Sequence, residues 1–244
     1  MPKLSDTFEK EPNGISGSAG QSEELNGPES MTSRAYARLR QDIISGKLQP
    51  GRKLKIDELR RTYDVGSSPI REALSLLTSD NFVERIDQRG FRVSPVSSAE
   101  FIELLKTRCW VEERALRESI ANGTSEWEEQ IVLVNYRLSR IPRSEAEDHF
   151  VANAEWETCH KIFHMTLISQ CGSSMLLRFC DQLYDQNTRY RQLSGSTAYP
   201  SRDVAEEHSS ICDAILAADA DLATKLLIQH YNQTSDFLKE KLSR

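Results

Sequence analysis

The stretch from Ile56 to Leu76, IDELRRTYDVGSSPIREALSL, restricts the fold more than any other part of the chain. Ile56, Leu59, Tyr63 and Val65 recur at the spacing of one apolar helix face, and Ile70, Ala73, Leu74 and Leu77 repeat the pattern on a second helix. Between them, Asp64-Val65-Gly66-Ser67-Ser68-Pro69 supplies residues suited to starting a helix, with Pro in its first turn. Two short helices joined by so tight a turn form a helix-turn-helix, a motif whose second helix lies in the DNA major groove.

The flanking residues extend the motif. Ala35 to Ile44 reads as a preceding helix, ended by Ser45-Gly46 and then Pro50-Gly51. Phe82 to Ile86 and Phe91 to Val93 read as strands around a hairpin tip at Asp87-Gln88-Arg89-Gly90. Together they predict a winged helix. Charge placement agrees: the whole chain carries −6, yet residues 31–97 hold 13 Lys/Arg against 8 Asp/Glu. The basic surplus sits on the segment that would meet a polyanion. Candidate DNA contacts are Gly66, Ser67 and Ser68 at the recognition-helix start, Arg71 on its outer face, and Arg89 and Gly90 at the wing tip. Arg38, Arg40, Lys53, Arg60 and Arg61 read as a solvated basic face.

Over residues 33 to 96, "SGKLQPGRKL…ELRRTYDVGSSPIREAL…FVERIDQRGFRVSP" resembles the N-terminal domain of GntR-family bacterial transcription regulators. Many members carry Ser-Arg-Thr-Pro where this chain has Gly66-Ser67-Ser68-Pro69, so an arginine usual in the family is absent and a different operator is implied.

Residues 97–244 read as an antiparallel all-α bundle, with helices expected near 99–121, 125–140, 145–170, 173–192, 202–217 and 219–242. Ser97, Ser125 and Ser144 each precede a glutamate by three residues, as in capping boxes, and Asp219 is placed to cap the last helix. Residues 1–30, rich in Gly, Ser, Glu and Pro, read as a disordered tail without an apolar signal core. No apolar run approaches the roughly 20 residues a membrane helix needs. Five cysteines without a C-x-x-C pair read as reduced thiols of a cytoplasmic protein.

Polar residues on apolar stripes carry the chemistry of this second region. Arg108 shares a stripe with Phe101, Leu104, Val111 and Ala115. An inward arginine needs an anion, which is either an internal partner such as Glu112 or a bound ligand. His160 and His164 lie one turn apart on the stripe Trp156, Phe163, Leu167, a spacing that suits a metal. His208 falls on the stripe Val204, Ile211, Ile215, and His230 on the stripe running from Ala223 through Leu226 to Phe237. If the chain reverses near Ala218, those two rings stand at almost equal height, roughly 15 and 18 Å from the turn. His149 lacks the spacing and reads as a surface residue. Imidazole-only ligation favours Zn, Ni or Cu over Mg or Mn.

From about 97 to 240 the chain resembles the FCD ligand-binding domain of FadR-type GntR regulators. The matching residues are Arg108 in "LLKTRCWVEERAL", Phe163-His164 in "HKIFHMTL", His208 in "EEHSSICDAI" and His230 in "LLIQHYNQT". Metal-binding members usually place an Asp four residues before the Phe-His histidine; here that residue is His160, leaving open a four-histidine site or a three-histidine site with His160 nearby. "WETCHKIFH" with "CGSSMLLRFCDQLYDQNTRYR" is similar to the carbon-starvation-induced (CsiR-like) branch, which implies control of dicarboxylate or amino-acid catabolism. The chain therefore reads as a homodimeric repressor on a pseudo-palindromic operator, and inward Arg108 beside the histidines points to a small carboxylate effector that bridges the metal and Arg108. An all-protein effector pocket without metal is the alternative. A DNA-tethered zinc hydrolase would need a general base, and Lys161, Ile162 and Phe163 between the paired histidines supply none.

Overall fold

The computed structural model describes residues 30–193 and 202–242, with side chains to Ser235. The expected N-terminal tail therefore falls almost wholly outside the described residues, as does the side chain of Phe237. Helix α1 (Met31–Ile44) leads into strand β1 (Lys53–Leu54), then α2 (Ile56–Tyr63), α3 (Ser67–Ser79), β2 (Val83–Ile86) and β3 (Gly90–Val93). Asp64 ends α2 in the left-handed region, at φ 53°, which turns the chain sharply into α3. The hairpin pairs Val83 with Val93 and Ile86 with Gly90, and Gly90 closes its tip at φ +91°, a conformation that disfavours any side chain. Strand β1, which the sequence pattern left as loop, pairs with β3 on its free edge. Two residues are too short to register as a period.

Leu39, Ile43, Leu59, Tyr63, Ile70, Leu74, Leu77, Phe82 and Val93 form one apolar core under the winged helix. A second core, containing Leu116, Trp127, Ile131, Phe163, Leu167, Ile211 and Leu227, lies among six helices. These are α4 (Ser98–Ala121), α5 (Ser125–Ser139), α6 (Ala154–Leu167), α7 (Ser174–Leu193), α8 (Val204–Leu216) and α9 (Ala220–Leu242). Helix α4 packs on α7 and α9, α5 on α6 and α8, and α8 on α9. Ser97 caps α4 by accepting the N–H of Glu100, and Asp219 accepts the N–H of Leu222 at the start of α9. The reversal between α8 and α9 comes at Ala218, as the spacing of His208 and His230 requires.

Three expectations are corrected. Helix α6 begins at Ala154 rather than near 145, because Ser144 is spent on a loop: it bridges Ala152, and its Oγ accepts from Ala146 and Val151 N–H. Asn153 caps α6 instead, accepting from Glu155 and Trp156 N–H. Thr124, not Ser125, caps α5. On α4 the buried residues are Phe101, Leu105, Arg108, Glu112, Ala115, Leu116 and Ser119, so Leu104 and Val111 sit at the edge of the stripe. All five cysteines are free thiols, three of them buried. Among the described residues no helix is long and apolar enough to cross a membrane.

Candidate metal centre and DNA-reading head

Helix α6 presents His160 and His164 to the bundle interior, α8 presents His208 and α9 presents His230, all four buried. One ligand-type atom from each lies within 4.8 Å of the other three. The rings of His208 and His230 are 4.8 Å apart between centroids, which the equal-height argument required. His149 is exposed beside Asp148 and takes no part.

Burial and the neighbouring rings and arginines hold His160, His164 and His208 well below the ordinary imidazole pKa. For His230, burial outweighs the hydrogen bond with Glu207 and brings the value to about 4. The four rings are therefore neutral near pH 7, the form that ligates a metal. Their outer nitrogens are oriented: His230 Nδ1 donates to Glu207 Oε2 at 2.7 Å, and His164 Nδ1 lies 3.1 Å from Tyr231 OH. Tyr231 in turn donates to Glu112, so its oxygen accepts from His164 and leaves His164 Nε2 bare. Glu207 stays ionised down to about pH 2, since bonds from His230 and Arg202 overcome the burial that would raise it.

His160 differs. Its Nδ1 faces Tyr184 OH at 2.7 Å and Arg191 Nη1 at 3.2 Å, and a guanidinium only donates. Its proton consequently sits on Nε2, which donates to His164 Nε2 at 3.0 Å. Ligation through that nitrogen requires the proton to move to Nδ1, against Arg191. His230 Nδ1 also lies 3.3 Å from Arg202 Nη2, but that nitrogen donates to Glu207 and to His230 O, so His230 keeps its proton on Nδ1 and, like His164, needs no such change. Four neutral nitrogens in a buried pocket, one of them (His208 Nε2) without any hydrogen-bond partner, fit a divalent ion of the zinc type.

Arg108 is paired internally. Its Nε donates to Glu112 Oε1 at 2.5 Å, with both side chains 3% exposed, and its guanidinium lies over the Tyr231 ring at 4.0 Å. Its Nη2 is still without a hydrogen-bond partner. Arg108, His160, His164, Tyr184, Arg191 and Tyr231 line a space of about 10 Å³, enough for one water.

Sequence reasoning missed Tyr184, Asn187, Arg191, Arg202 and Glu207. For the first three a signal existed: Tyr184, Asn187, Thr188 and Arg191 follow helical spacing on a face of α7 that is polar yet buried. The opposite side of α7 holds the winged helix. Asp185 pairs with Arg40 of α1 and with Lys161 of α6, Gln186 Nε2 donates to Asp80 O at 2.7 Å, and Arg189 donates to Ser94 O. Arg40 is thus a joint between the two cores and not part of a solvated face. Arg38 stays exposed, as expected of a solvated face, and donates to Tyr63 O within the head at 2.9 Å.

In the head, Arg71 projects from α3 into solvent, as do Arg89 and Gly90 from the hairpin tip. Gly66 stands at the N-cap of α3 with no side-chain hydrogen bond to the first turn, so the N–H groups of Ser67 and Ser68 remain available.

A winged helix joined to a helical domain with a buried polar centre defines a DNA-binding transcriptional regulator. Residues 31–93 match the family described as bacterial regulatory proteins, gntR family, and residues 103–233 match the FCD domain. The chain belongs to the GntR family, with an FCD C-terminal domain, and the family consists of regulators rather than enzymes. It is 38% identical over 211 residues to the uncharacterized HTH-type transcriptional regulator BphR of Paraburkholderia xenovorans, covering 86% of each chain. It is 32% identical over 199 residues to the HTH-type transcriptional repressor GlaR of Escherichia coli K12, covering 80% of this chain and 90% of that one. The fold is that of E. coli McbR/YncC, with a TM-score of 0.73 at 20% identity over 87% of this chain and 98% of the other.

Proposed function

We propose that the protein is a homodimeric repressor that holds a divalent metal, zinc by preference, at His164, His208 and His230, with His160 as a fourth ligand once its ring proton has moved. The observation that carries this reading is the convergence of four buried, neutral imidazoles within 4.8 Å. Zinc would supply a double positive charge that no carboxylate ligand offsets, and a small carboxylate effector would meet that charge together with Arg108 Nη2. The name repressor rests on relatives such as GlaR. A two-fold dimer suits a pseudo-palindromic operator read by Arg71, with Gly66, Ser67 and Ser68 at phosphate and Arg89 and Gly90 in the wing.

The space beside Arg108 admits one water, so a carboxylate enters only if the Tyr184-Asn187-Arg191 face of α7 yields. The same helix grips Arg40, Asp80 and Ser94 of the DNA-reading side. Effector entry therefore favours a different placement of the head, which is the differential contact that a ligand-driven shift needs. Calorimetry of zinc-loaded protein against a panel of mono- and dicarboxylates tests this, with a gel shift on the chain's own upstream DNA. Absence of heat across the panel, or of duplex binding at low ionic strength, would remove the corresponding half.

A further inference from the structure

A second and larger cavity lies on the other side of His208. It encloses about 200 Å³ between α5, α6 and α8, and its wall includes Leu138, Arg143, Trp156, Arg202, Ala205 and His208. That volume holds several waters or a small organic acid. Two guanidinium groups line it. Arg143 lies over the Trp156 ring at 5.8 Å, and Arg202 is fixed by Glu207 at 2.6 Å and by Thr234 Oγ1 at 2.8 Å. Burial, with Arg191 and Arg202 nearby, lowers the pKa of Arg143 to about 10, although Glu157 and Glu207, the partners of those two arginines, act the other way.

His208 is the second observation. Three of the four rings have a partner for the nitrogen that faces away from the cluster: Tyr184 for His160, Tyr231 for His164 and Glu207 for His230. His208, only 2% exposed, forms part of the cavity wall; its Nε2 is a buried atom without a partner, and no hydrogen bond to a described side chain or backbone group is made by Nδ1, the nitrogen left for the cavity when Nε2 faces the cluster. A ligating histidine ordinarily donates its other N–H to a carboxylate, carbonyl or water.

We propose that this cavity is a separate binding site for a small carboxylate, held by Arg143 and Arg202, whose oxygen accepts the ring N–H of His208. The anion then does for His208 what Glu207 does for His230, orienting the ring and raising its basicity. Anion and metal consequently strengthen one another's binding by the same factor. That coupling rests on the metal reading above; the binding of the anion does not.

Succinate and acetate serve as probes, titrated calorimetrically into the full chain with zinc bound and again after chelation. Ala205→Trp fills the cavity mouth from an exposed position, and Arg143→Met removes charge while keeping a stem to pack on Trp156. Each is expected to weaken the succinate or acetate event at least tenfold while zinc stoichiometry stays at the wild-type value. Arg108→Met leaves this event in place. Saturating probe tightens zinc five- to tenfold in the wild type and not in Ala205→Trp, read by competition with a chromophoric chelator. Unaltered probe binding in both cavity variants, or no probe binding by the wild type, overturns the proposal. Probe binding lost in the variants while the wild type takes up no zinc would instead overturn the metal reading and leave the anion site standing.

Discussion

Arg40 in α1 and Asp185 in α7 form an ion pair that joins the DNA-reading head to the helical domain, and the Asp185 carboxylate also accepts from Lys161 Nζ at 2.9 and 3.0 Å. Tyr184, next to Asp185 on α7, faces the cluster instead, and its OH meets His160 Nδ1 of α6 at 2.7 Å. Two consecutive residues of α7, Tyr184 and Asp185, thus touch the imidazole cluster and the head. A shift of α7 at one side is a shift at the other.

Asp185→Asn weakens the buried acceptor of Arg40 and leaves Lys161 to Asp181, which lies 2.6 Å away, at a cost of about 1–3 kcal/mol. Amide exchange along Arg40–Ser45 should rise while zinc content is unchanged. Exchange indistinguishable from wild type would show that the pair does not hold the head.

Arg71→Ala should weaken operator binding by about 1–3 kcal/mol and relax specificity at one base pair, the signature of a base contact. Arg89→Ala should weaken binding equally across sequences and lower the salt slope by about one. Fluorescence anisotropy at several salt concentrations separates the two. The same slope in both variants would contradict the assignment.

Glu207→Gln keeps a hydrogen-bond acceptor for His230 but removes its charge. By analogy with other outer-shell carboxylates, zinc affinity should fall about 10–100-fold with the ligands intact. His160→Ala should weaken zinc less than His164→Ala or His230→Ala, because only His160 must relocate a proton to ligate. Equal losses at all four positions would make the centre a symmetric four-histidine site.

Phe163, fully buried beside His164 and His208, supports the cluster by packing. Phe163→Ala should cost about 3–5 kcal/mol in urea unfolding, and Leu74→Ala in the other core about 2–5 kcal/mol. Only the former should also lower zinc affinity, since Leu74 belongs to the head's core.

The helix-turn-helix and the four histidines were legible in the sequence because each depends on spacing: an apolar face at 3.6 residues, and rings one turn apart or at matched height about Ala218. The start of α6 was not, because Ser144 serves a loop as readily as a cap, and only the bridge to Ala152 decides. Arg108 showed that it points inward but not whether Glu112 or a ligand receives it. Arg40 looked like any surface arginine, because its partner lies on α7, well over a hundred residues away along the chain. Long-range polar pairs leave no periodic trace.

The most direct test is elemental analysis of the full chain purified without chelator, in parallel with a His164→Ala, His208→Ala, His230→Ala triple variant. One zinc per wild-type chain, lost from the triple variant with its helical circular dichroism retained, is the expected result. Wild-type protein that carries no divalent metal and takes none up from a zinc-supplemented buffer would contradict the metal centre.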